Sequence, residues 1–146
     1  VLADPIFGSS AAAITWAVAG VAAIPSPYIW SAFAERFGRR HTLLSCYTLQ
    51  VGGAVAAVFG NSSFLLMVAA IIFGATFMGI TMLTISTGVT CGIKGGAARL
   101  TTWYSLGQVV GPAAIGLFLS NSIRASFIIA AIAITIGMAT IKLSRL

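Results

Sequence analysis

Ten charged side chains occur in 146 residues, and four of them stand together in "ERFGRR": Glu35, Arg36, Arg39 and Arg40. Guanidinium groups bind carboxylates and the exposed carbonyls of helix ends through charge-assisted hydrogen bonds. Around Gly38, which can adopt the left-handed conformation that ends a helix, the three arginines can cap one helix while the chain reverses. A basic topology anchor needs no acid, so Glu35 points to a charge network that makes and breaks contacts with other helices. Anchoring alone is the alternative reading.

A second polar set is uncharged. Thr101, Tyr104, Gln108, Gly111 and Pro112 recur on one helical face, and Gln108 places a full amide inside an apolar run. Such an amide serves either an interhelix hydrogen bond or a polar ligand. Gln50 allows the same two readings, although the "GGAVAAVFG" around it resembles a small-residue packing face. Thr76, Thr84 and Thr87 line up at helical spacing, either bonded back to their own helix or facing a ligand. In "AAIPSPYIW", Pro25 and Pro27 each remove a backbone donor around Ser26, which makes a bending point, a cavity wall or a tolerated kink.

Catalytic constellations are missing from this inventory. His41 is the sole histidine, and no nucleophile and base, paired aspartates or metal-ligand cluster accompanies it. Cys46 and Cys91 have neither metal-site nor disulfide-framework spacing. "CGIKGGA" lacks the phosphate-loop spacing and the hydroxyl residue after its lysine. The expectation is a protein that is not an enzyme, with no cofactor and no metal.

The elements that position these residues follow from composition. With 59% hydrophobic residues, 7% charged and a mean hydropathy of +1.05, a soluble globule is excluded. The net charge of +6 sits in short gaps between apolar runs rather than on an aromatic-laced basic face, so nucleic acid is not the expected partner. A bilayer core about 30 Å thick needs roughly 20 apolar residues. That ruler finds five spans, at about residues 12–34, 42–60, 64–88, 100–120 and 125–142. The gaps are short enough to make successive helices antiparallel neighbours within one domain, residues 1–146.

If the gaps alternate sides, Arg36, Arg39, Arg40, Lys94, Arg99, Lys142 and Arg145 gather on one side and only Arg124 on the other. The positive-inside rule then places loops 35–41 and 89–99 and the C-terminus in the cytoplasm. The first residues, "NSS" and "NSIR" fall outside. An odd number of spans with an outside start, and a first residue that is Val, lead to the expectation of at least one further helix upstream. No Asp, Glu, Lys, Arg or His lies in the core of any span, so a proton-titrating residue, if the protein uses one, belongs to another part.

"SAFAERFGRR" resembles the cytoplasmic signature of the major facilitator superfamily, G-x-L-A-D-R-x-G-R-R/K, through Ala34, Arg36, Gly38, Arg39 and Arg40; Ser31 and Glu35 depart from it. "GQVVGPAAIG", with Gly107, Gly111, Pro112 and Gly116, is similar to the glycine-proline motif of antiporter branches. Together with "GVAAIPSPYIW", "FGATFMGIT" and "YSLGQVVGP" in this order, nearly the whole chain resembles the C-terminal half of the YbfB/YjiJ group of bacterial transporters. The resemblance implies an all-α polytopic membrane fold whose spans are helices eight to twelve of twelve. It also implies secondary active transport of a small molecule by alternating access in the bacterial inner membrane, with the absent N-terminal half as partner. On this reading Trp16, Ser26, Thr76, Tyr104 and Gln108 are candidate cavity contacts. The residues Glu35, Arg36, Gly38, Arg39 and Arg40 form a cytoplasmic latch, and Pro25, Pro27, Gly107, Gly111, Pro112 and Gly116 serve packing and hinging. A non-transporting scaffold or an inactive truncated transporter is the rival.

Overall fold

The computed structural model describes residues 11–59, 63–118 and 123–143, and within them it is all-helical. The helices are α1 (Ala11–Ala23), α2 (Ser26–Phe37), α3 (Arg39–Phe59), α4 (Ser63–Thr90), α5 (Gly96–Phe118) and α6 (Ile123–Leu143). The first ten residues, "NS" of the second gap, "NS" of the last gap and Arg145 lie outside the described residues.

The expected first span is two helices, bent by 40°. Pro25 has no N–H for the carbonyl of Val21, which instead accepts a long bond of 3.3 Å from Ile24 N, closing a tighter three-residue turn. Pro25 then occupies the N-cap of α2 and Pro27 the first turn, where a missing donor costs nothing. One proline ends a helix, and the other suits the start of the next.

Two expected loops are shorter than the sequence reading made them. Glu35 and Arg36 belong to α2, Arg39 to His41 belong to α3, and only Gly38 between them is non-helical. Its φ of 84° is positive as expected, but its ψ of 148° is extended rather than left-handed helical. The turn after α4 shrinks to residues 91–95 because α4 runs 28 residues. At 1.5 Å per residue that is about 42 Å, so α4 outreaches a 30 Å apolar core and carries its last turns beyond it.

Three helices, α3, α4 and α6, are long and apolar enough to cross a membrane, and the bent α1 and α2 pair makes four. The expected fifth, α5, has the length at 23 residues but falls short in apolarity. Thr101, Thr102, Tyr104, Ser105 and Gln108 are the cause.

At the centre of the bundle, α4 packs against α1, α2, α3 and α5, while α6 packs chiefly on α3. Helices in lipid gain little from burying apolar surface and associate through close contact of small residues. Accordingly the buried core is made mostly of small side chains, Ala19, Cys46, Ala57 and Ala70, with Leu43 and Leu83. Gly74 lets α4 approach the backbone of α1, since a Cβ there would strike the Ala19 carbonyl.

Between α2 and α4 the contact is polar and specific. Ser26, 1% exposed, donates through Oγ to Ala75 O at 2.7 Å and accepts from Gly79 N–H at 3.0 Å. Those two backbone groups are four residues apart, the ends of one rung of the α4 ladder. Trp30 Nε1 donates to the same Ala75 carbonyl at 2.6 Å, and its indole lies where any Cβ at position 79 would go. The helix that restarts after Pro25 is thereby pinned to the middle of α4.

Candidate functional site

The arginine cluster sits where three helix ends meet. Arg39, in the first turn of α3, donates through Nη1 to Thr90 Oγ1 at 2.8 Å and to Thr87 Oγ1 at 3.3 Å, both in the last turn of α4. Arg40 Nη2 donates to the Lys142 carbonyl at 2.6 Å, at the C-terminal end of α6. Both cations lie at helix C-termini, where the macrodipole is negative and carbonyls lack internal donors. The two arginines thus tie α3 to α4 and α6. Glu35 is exposed and takes no part in these contacts, and the Arg36 guanidinium lies over the Phe37 ring, 5.4 Å from its centroid.

A wall of aromatic rings crosses three helices on another face. Trp16 of α1 meets Phe73 of α4 edge to face at 6.3 Å between centroids. Phe73 stacks on Phe77, one turn along the same helix, at 5.1 Å. Phe77 meets Tyr104 of α5 at 6.2 Å. Beyond the tyrosine, Gln108 Nε2 donates to the Tyr104 hydroxyl at 2.9 Å. At the opposite end, Trp16 and Phe73 border a cavity of about 350 Å³ among α1, α3, α4 and α6, into which Gln50 also faces. The rings are not sealed in a core, since Trp16 is 69% exposed and Phe73 37%.

Of the expected cavity contacts, Trp16, Tyr104 and Gln108 are brought into this single row, with Phe73 and Phe77 as links. Ser26 and Thr76 lie elsewhere: Ser26 in the α2 and α4 joint, Thr76 1% exposed and bonded back to Ile72 O at 2.7 Å. Thr87 likewise bonds to Leu83 O, whereas the buried Thr84 hydroxyl has no partner among the described residues. On α5, Pro112 sits within the helix, and Gly107, Gly111 and Gly116 meet nothing within 4 Å of where a Cβ would stand. None of these three glycines is a close-packing point among the described residues. Phe73 and Phe77 are the residues sequence reasoning missed, while Gln50, read there as an interhelix or ligand amide, lines the cavity. Phenylalanine in an apolar run carries no signal of its own, and only the one-turn spacing of the pair hinted at a shared face.

Apolar helices with small-residue seams, basic groups gathered at helix ends and hydroxyls mostly bonded back to their own helices define an integral membrane protein of the helical type. The chain belongs to the major facilitator superfamily, in the family described as uncharacterised MFS-type transporter YbfB, whose profile matches residues 2–142. Membership makes it a transporter-type protein. No curated protein and no solved structure matches the chain.

Proposed function

We propose that the chain forms one wall of a secondary active transporter that carries a small molecule by alternating access, facing a second half that supplies the opposite wall. The observation that carries this reading is the continuous row from Trp16 to Gln108, polar and aromatic groups left open on α1, α4 and α5 of a membrane bundle. Two features support motion around it. The α1 and α2 break supplies a bend, and the Arg39 and Arg40 contacts are hydrogen bonds at helix ends that can be exchanged without opening an apolar core. Trp16, Tyr104 and Gln108 contact the solute; Ser26 and Thr76 act by holding α2 and α4 in place. Glu35 and Arg36, exposed beside the tied arginines, complete the cytoplasmic latch against the opposing half.

This arrangement belongs in a bacterial inner membrane with Gly38, residues 91–95 and the C-terminus on the cytoplasmic side, as the distribution of basic residues favours. Flux by the intact transporter in proteoliposomes tests the reading. Saturable, gradient-driven uptake of a solute, lost when both Tyr104→Phe and Gln108→Ala are introduced, supports it. A correctly inserted protein that moves no solute under any ion gradient is instead the scaffold or inactive fragment.

A further inference from the structure

We infer that the solute is an uncharged aromatic or heteroaromatic molecule carrying both a hydrogen-bond donor and an acceptor, such as a planar amide; this rests on the transport reading above. Three observations converge. First, the described row is built of four rings in contact, Trp16, Phe73, Phe77 and Tyr104, which offer faces and edges for offset or edge-to-face stacking. Aliphatic solutes gain only area burial from such a wall, whereas aromatic ones gain ring geometry as well. Second, both ends of the row carry neutral amides, Gln50 at the cavity and Gln108 on α5, and no charged residue lies in the row or the cavity lining. A carboxylate or phosphate held there would be stripped of water with no cation to offset the cost.

Third, the Tyr104 and Gln108 pair retains hydrogen-bonding capacity of both kinds. With Gln108 Nε2 donating to the phenol oxygen, the Gln108 Oε1 acceptor and the Tyr104 O–H donor have no further partner among the described residues. If the amide is turned over, the phenol donates to Oε1, and the free groups become the Gln108 NH₂ donors and a phenol lone pair. Either way one donor and one acceptor stand side by side next to the Phe77 ring. A planar amide or lactam on an aromatic ring answers both while its ring stacks on the row.

Binding to the intact, detergent-solubilised transporter distinguishes solute class from transport itself. The series is benzamide, nicotinamide, 2-pyridone and indole-3-carboxamide, set against benzoate, benzylamine and cyclohexanecarboxamide. Calorimetry reads binding, and proteoliposomes read flux. The expected result is saturable binding by at least one neutral aromatic member, at least tenfold tighter than its charged and aliphatic counterparts. Tyr104→Phe should weaken that binding about tenfold while ethylbenzene, which lacks the amide, is unaffected; Phe77→Ala should weaken both. Tighter binding of a charged or aliphatic member, or no binding by any aromatic amide, overturns the inference even if flux of some other solute is found. Binding of an aromatic amide without flux upholds the solute class and fails the transport reading instead.

Discussion

Ser26 shows how much one hydroxyl can be asked to hold. Its oxygen engages both Ala75 O and Gly79 N–H in a buried setting, and no other side chain among the described residues reaches Gly79 N. Ser26→Ala leaves those groups to each other or to nothing, and should lower stability by about 1–3 kcal/mol. Thermal unfolding of the transporter in detergent reads the loss, and an unchanged midpoint would show that the joint contributes nothing. Gly79→Ala forces the Trp30 indole out of its seat and should cost a similar amount by overpacking, about 1–3 kcal/mol. At this scale the sequence was only partly legible. Tyr104 and Gln108 stood out because polar groups are conspicuous in apolar helices, whereas Trp16 entered only through the family resemblance. Ser26 did not reveal its role, since that role depends on how α2 registers against a helix 49 residues away. The spacing of Thr76 allowed either a bond back to its own helix or a ligand contact, and only the structure, with Thr76 bonded to Ile72 O, decides for the first.

The helices repeat that lesson one level up. Apolar length located α3, α4 and α6 well, and the prolines marked the break before α2, because both signals are local to the chain. Loop lengths were overestimated where basic residues were taken to end a helix. Arginines at a helix end are tolerated within the helix itself, since their long side chains carry the charge away from the apolar zone. The break is expected to be functional: replacing both Pro25 and Pro27 by Ala restores the donors for Val21 O and Ala23 O and should straighten α1 and α2. Spin-label distances between positions 14 and 33 should lengthen while membrane insertion is unchanged, and flux should fall; an unaltered distance would assign the bend to packing. The Arg39 tie makes a separate prediction. Arg39→Ala should raise hydrogen exchange of the α4 backbone at Ser86–Thr90 with about 0.5–1.5 kcal/mol lost locally, and leave the far end of α4 unchanged.

For the molecule as a whole, the arrangement separates what holds the bundle from the row proposed to meet the solute. Small residues and the Ser26 joint bring α1 and α2 onto α4, arginines tie the helix ends, and the aromatic row is left open on one side. Opposite membrane sides for Gly38→Cys and Asn61→Cys are expected from the charge distribution, and labelling of both from one side would reverse that orientation. The most direct measurement is thiol accessibility in the intact transporter at Gln108→Cys, in a background carrying Cys46→Ala and Cys91→Ser, with Ile132→Cys on the outer helix α6 as control. A membrane-impermeant thiol reagent should modify position 108, block flux, and be slowed by bound solute, while position 132 stays unreactive. Position 108 reacting no faster than position 132, or reacting equally with and without solute, would contradict a solute path along this wall.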